Sequence, residues 1–182
     1  MSADSLDLDH AERALRQAME LLRRHERLGV QPETKGDGQL VTAADREVDA
    51  LLRRELPRPG EGWLSEESPD DLARLAADRV WIVDPLDGTR AFVAGRADYS
   101  VSIALLVGGE PVLGLVGNPA RDVVVKGGLG LGVTADGDPR LGWPADDPRP
   151  RLLASRSEVK NGEWQRVAAQ ALVQPVGSVA YK

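Results

Sequence analysis

The sequence predicts an α+β fold in which helices lead and strands follow. Three observations predict it. Two stretches near the start, 6–28 and 42–56, carry apolar residues at helical spacing. A stretch from 98 to 128 alternates apolar and small residues and is broken by Gly and Pro, the pattern of antiparallel sheet. Between them lies Val80-Trp81-Ile82-Val83, a β-branched and aromatic run. It reads as a strand buried on both faces that stops at a rigid acidic turn, Asp84-Pro85-Leu86-Asp87-Gly88.

Composition narrows the function classes. At 182 residues the chain is long enough for one well-buried domain. Its charge is 23 − 29 = −6, without a long basic run, and it has four Trp, two Tyr and one Phe. A nucleic-acid polymer or an anionic membrane is therefore not the expected partner. With no cysteine, disulfide and thiolate chemistry are excluded. The first residues lack the basic and apolar regions of a signal peptide, and no apolar run reaches membrane-spanning length. A soluble cytoplasmic protein is the expectation.

Taken in order, helix 6–28 places Ala11, Ala14, Leu15, Ala18, Met19 and Leu22 on one face, with Gly29 as its C-terminal cap. His10 and His25 on this helix are expected to be solvated. Residues 35–38, Lys-Gly-Asp-Gly, form a loop. Helix 42–56 places Ala44, Val48, Leu51, Leu52 and Leu56 on one face. Thr42-x-x-Asp45 fits a capping pattern, which gives Asp45 a structural reading. A connector at 57–62 leads to a short strand at 63–65, ended by Glu66-Glu67. Adjacent glutamates in a strand point to opposite faces, so one of the two is expected to face a site. A short helix or loop fills 69–78.

The acidic turn carries the chemistry. Asp84 and Asp87 flank the Leu86 carbonyl, a set of hard oxygen donors that suits Mg²⁺. A short helix over 89–93 ends at Gly95, and the amides of Gly88 and Thr89 at its start suit a phosphate. Either Asp-Pro or Asp-Gly alone would read as turn punctuation. The whole run reads as a metal and phosphate site.

The meander then uses strands 99–107, 111–116 and 122–126, with Val101, Ile103, Leu105 and Val107 on one face of the first. Residues 127–137 are glycine-rich and continue it. They lack the Lys-Ser/Thr of a P-loop. The expected division is a lobe at 1–137, a linker at 138–150 and a partial α/β lobe at 151–182. The last comprises strand 151–155, a Ser155-Arg156-Ser157 loop, helix 163–173 and strand 175–180.

Asp84-Pro85-Leu86-Asp87-Gly88-Thr89 after Trp81-Ile82-Val83 resembles the signature of the inositol monophosphatase family. That family includes 3'(2'),5'-bisphosphate nucleotidases. Leu64-Ser65-Glu66-Glu67 and Leu40-Val41-Thr42-Ala43-Ala44-Asp45 resemble its two upstream motifs in order and spacing. The resemblance implies a layered αβαβα sandwich, here with the second lobe truncated. It implies a Mg²⁺-dependent phosphomonoesterase that hydrolyses a small phosphate ester by metal-activated water, using two or three ions. It assigns Glu66, Asp84, the Leu86 carbonyl and Asp87 to the metals, and Asp45 and Thr89, with Glu66, to catalysis. It assigns Gly88 and Thr89 to phosphate, and Asp87, Gly177, Ser178 and Val179 to the substrate's organic part. A small-residue strand packed on its neighbours is the other reading of Gly177 to Ala180. The family often has an acidic residue where Gln39 stands, so the loop at 35–38 is not assigned a third metal.

The wording Trp63-Leu64-Ser65-Glu66-Glu67 is closer to the nucleotidases than to inositol phosphatases. Homodimers and lithium sensitivity are further expectations of the resemblance. In the family a further helix and a Trp-Asp motif follow the point at which this chain stops, Lys182. No later Asp fills that role, so fewer ions and a weaker second metal are expected. The alternative expectation is an incomplete, non-catalytic subunit that keeps a weak metal site.

Overall fold

The computed structural model describes residues 5–29, 31–34, 40–70, 72–137, 149–178 and 180. The loop at 35–38, Gln39, residues 138–148 of the expected linker and Val179 lie outside them. The two long helices form as the periodicity requires: α1, Ser5–Leu28, and α2, Ala43–Glu55. Thr42 caps α2 in extended geometry, and its hydroxyl accepts from the Ala44 amide at 3.1 Å. A short antiparallel pair, β1 (Pro32–Thr34) and β2 (Leu40–Thr42), leads into that cap.

The core is a six-stranded sheet in the order β3-β4-β5-β6-β7-β8. Its strands are Gly62–Ser65, Arg79–Asp87, Ser100–Val107, Glu110–Asn118, Val123–Gly128 and Gly132–Asp136. β3 and β4 run parallel, joined by a connection that contains a 3-10 turn, Ala73–Ala76; every other pairing is antiparallel. The glycine-rich stretch thus does continue the meander, as β8. Both long helices pack on one face of this sheet. Ala11, Leu15, Met19 and Leu22 of α1 join Val48 and Leu52 of α2 over Trp81, Val83, Val101, Ile103 and Leu105. Leu15 is fully buried there, so Leu15→Ala is expected to destabilise the fold by about 2–5 kcal/mol in urea unfolding.

The other face differs from expectation. Trp81 and Val83 are buried, but Val80 and Ile82 are only half-buried, so β4 is fully covered on one side alone. Period-2 alternation decides this: Trp81 pairs with Leu105 and Val83 with Ile103 on the helix side, while Ile82 pairs with Ala104 on the other. Nor does Asp84-Pro85 stop the strand, which runs on to Asp87. Asp84 sits opposite Ser102 and Asp87 opposite Ser100, so three steps on β4 match two on β5. That extra residue makes a β-bulge, where the missing N–H of Pro85 costs the ladder little.

The C-terminal elements form a separate parallel pair, β9 (Arg151–Ser155) and β10 (Leu172–Val176). Three expectations fail here. Ser155 starts a helix, α4 (Arg156–Lys160), instead of a loop, because Ser155 and Glu158 make a reciprocal capping box. The helix expected at 163–173 is a series of turns over 161–170. Its bonds mix three-residue spacing (Val167 to Trp164) with four-residue spacing (Ala168 to Trp164), and Ala168 is exposed. Amphipathic helices draw most stability from burying a face, and this one buries little. The last strand ends at Val176, leaving Gly177 and Ser178 outside it.

The histidines also differ from expectation. His10 is half-buried, contacts the Leu56 carbonyl at 3.1 Å and stands edge-on to Trp81; His25 contacts Glu47 at 3.1 Å. Among the described residues no helix is long and apolar enough to cross a membrane.

Candidate active site

The bulge in β4 decides the site. In a regular strand, residues three apart face opposite sides. The extra residue brings Asp84 and Asp87 to the same side, since their partners Ser102 and Ser100 are two apart. This is the sheet face away from the long helices. Glu66 follows directly on β3, the parallel neighbour of β4. Strand ends thus bring Glu66, Asp84 and Asp87 together. Both Glu66 and Glu67 lie just past the end of β3, in a bend; Glu66 is exposed and Glu67 half-buried.

Electrostatics reflects this. Burial and the charges of Asp87, Glu66 and Asp45 push the Asp84 carboxyl up to about 7, against the pull of the Leu86 amide, which donates to Asp84 Oδ1 at 3.1 Å. None of these four carboxylates forms an ion pair among the described residues. No three acidic or histidine side chains among those residues are gathered tightly enough to be a preassembled cation cage. The donor set is nonetheless all oxygen, without His or Cys. Hard divalent cations such as Mg²⁺ fit that chemistry.

Asp45 reaches this site from the first turn of α2. The sequence offered it a capping role and a catalytic role; one oxygen makes the cap bonds and the other contacts Thr89. Oδ2 accepts from the Thr42 amide at 2.7 Å and the Thr42 hydroxyl at 2.6 Å. Oδ1 is left for the Thr89 hydroxyl at 3.1 Å, which also lies 3.2 Å from the Leu86 carbonyl. Thr89 opens a short helix, α3 (Thr89–Val93), after Gly88 in the left-handed region at φ 93°. A Cβ on Gly88 would meet the Asp98 carbonyl at 3.0 Å. Gly88→Ala is therefore expected to cost about 1–3 kcal/mol and to displace Thr89, seen as a lower Tm together with reduced turnover.

The remaining sequence assignments lie across the junction with the C-terminal elements. Asp87 Oδ2 accepts from the Ser178 hydroxyl at 2.6 Å and the Ala180 amide at 2.5 Å. Ser178 is fully buried and also contacts Ser100 at 2.8 Å. A carboxylate only accepts, so Ser178 gives its proton to Asp87 and Ser100 donates to Ser178. Gly177 donates its amide to Asp98 Oδ2 at 2.5 Å. A Cβ there would lie 2.7 Å from the Asp98 carbonyl oxygen, so only glycine allows this approach. Gly88, Thr89 and Gly177 line a cavity of about 410 Å³. Arg90, Arg96 and Arg156 line it too, and sequence reasoning missed all three, along with Asp98, which pairs with Arg156. The Ser155-x-x-Glu158 box that positions Arg156 was the available signal.

Comparison with known proteins gives a family and a set of structural neighbours. A model of the inositol monophosphatase family matches residues 5–173. The 3'-phosphoadenosine 5'-phosphate phosphatase of Mycobacterium bovis is 50% identical over 103 residues, 52% of this chain and 37% of that protein. An inositol-1-monophosphatase of the same organism is 40% identical over 124 residues, 60% of this chain and 43% of that protein. The matches thus take in less than half of these relatives' own length. Among solved structures, the extragenic suppressor protein suhB of Bartonella henselae superposes with TM-score 0.79 at 27% identity, covering 97% of this chain and 72% of that one. A Thermotoga maritima IMPase gives 0.78 at 28%, covering 95% and 69%.

Proposed function

This chain belongs to the inositol monophosphatase family, and on that premise we propose that it hydrolyses a small phosphate monoester with Mg²⁺ as cofactor. The ester is an inositol monophosphate or a 3'(2'),5'-bisphosphate nucleotide. One observation carries the reading: four carboxylates, Asp45, Glu66, Asp84 and Asp87, lie close enough for the other three to act on Asp84, and none of them forms an ion pair among the described residues. Like charges at that density need a cation to be stable together when ionised.

In this reading Glu66, Asp84, Asp87 and the Leu86 carbonyl hold Mg²⁺. When bound, the ion supplies Lewis-acid activation of water and neutralises charge on the phosphate. The rest is done by the chain itself. The Thr89 hydroxyl, donating to Asp45 Oδ1, turns its lone pairs outward and accepts a hydrogen bond from the attacking water. Asp45 is fixed by its cap bonds, so this orientation is set before substrate arrives. The amides of Gly88 and Thr89 hold the phosphate oxygens. Water attacks phosphorus in line, the bond to the ester oxygen breaks, and that oxygen leaves as the alcohol, with no covalent bond to the protein.

The test is phosphate release by the 182-residue chain from inositol-1-phosphate and from adenosine 3',5'-bisphosphate across a Mg²⁺ titration. Release that saturates with Mg²⁺ is the expected result, and the preferred ester identifies the substrate class. A folded chain that releases phosphate from neither ester overturns the reading.

A further inference from the structure

The cavity beside the phosphate site is basic. Among the described residues its lining contains three arginines and no carboxylate. Arg156 is already engaged by Asp98. Arg90 and Arg96 are exposed and have no acidic partner among the described residues. The Nε of Arg156 is buried without a hydrogen-bond partner. Ser155 and Ser157 bring two hydroxyls to the same wall, 3.0 Å apart. A neutral polyol gives the guanidinium groups of Arg90 and Arg96 nothing to neutralise. A phosphate does, because its oxygens match the planar donor fork of arginine.

We propose that this cavity is a subsite for a second phosphate, so that Arg90 and Arg96 select esters carrying two phosphates over esters carrying one. The inference rests on the phosphatase reading above for the placement of the first phosphate at Gly88 and Thr89. The placement orders the ligand: one phosphate lies at the carboxylate cluster, and the other lies beyond Thr89, between α3 and the start of α4. Arg156 shapes the wall through Asp98, and Asp98 also takes the Gly177 amide, so the C-terminal elements fix the cavity's far side. Electrostatic selection of this kind weakens as salt screens the arginines.

The experiment compares adenosine 3',5'-bisphosphate with adenosine 3'-monophosphate, which share the same reacting phosphate. Binding of each is measured by calorimetry without divalent metal, and phosphate release is measured with Mg²⁺. The variant is Arg90→Gln/Arg96→Gln, whose exposed side chains leave the core untouched; thermal melting checks its fold. Wild type should bind the bisphosphate more tightly, and the variant should lower that preference about tenfold or more, with a smaller salt dependence. The inference is overturned if wild type shows no preference. It is also overturned if the variant weakens both ligands equally, since the arginines would then serve the shared phosphate. Binding that follows the arginines without any phosphate release would instead refute the phosphatase reading and keep the subsite.

Discussion

Asp84→Asn is expected to lower Mg²⁺-dependent phosphate release, measured as kcat/KM, by about a thousandfold. The substitution keeps the side chain's volume, and its carbonyl oxygen can still accept from the Leu86 amide, as Asp84 Oδ1 does at 3.1 Å. What it removes is charge. Asp84 sits where β4 bulges, on the same face as Asp87 and beside Glu66, and burial together with the charges of its neighbours pushes its carboxyl up. Among the proposed metal ligands it should therefore carry a large share of the attraction for a cation. A loss smaller than about tenfold would remove Asp84 from the centre of the site.

The same substitution should have the opposite effect on metal-free stability. The folded-state value for Asp84 is raised from 3.8 to about 7. Between those values the native chain holds a proton that the unfolded chain has released. Stability from this group is therefore fully present below about pH 4 and is lost as pH rises through about 7. Asn does not titrate. In urea unfolding with chelator, Asp84→Asn should gain on wild type by up to about 4 kcal/mol between about pH 4 and pH 8. Other carboxylates are held below their usual range against their own burial, Asp7 by Arg79 and Arg58, and Glu61 by the Arg58 amide, Arg79 and the Trp81 indole; they contribute equally to both proteins. The difference between the two curves isolates Asp84. A flat difference would mean that the carboxylates are too well solvated to repel one another.

The elements legible in the sequence are those governed by local rules. The helical spacing of Ala11 to Leu22 and the alternation of Val101 to Val107 each reach the core as expected. The acidic run at Asp84 to Asp87 was legible as a candidate site, but its geometry was not. Three-residue spacing says nothing of a bulge, which arises only when β4 meets the register of β5. Asp45 was legible as either a cap or a proposed site residue, and its cap bonds occupy one oxygen while the other contacts Thr89. Arg90 and Arg96 read as ordinary surface charges until tertiary packing set them around one cavity with Arg156, a residue more than fifty positions later. The expected helix at 163–173 failed because periodicity describes a face and does not supply the surface to bury it.

The most direct test is a Mg²⁺ titration followed by thermal melting and calorimetry, on the wild-type chain and on Asp84→Asn at neutral pH. Wild type should show a saturable stabilisation, reaching about 2.7 kcal/mol when Mg²⁺ stands at a hundred times its Kd, and the variant a strongly reduced one. No saturable binding, or equal binding by both proteins, would contradict a cation site built on Asp84.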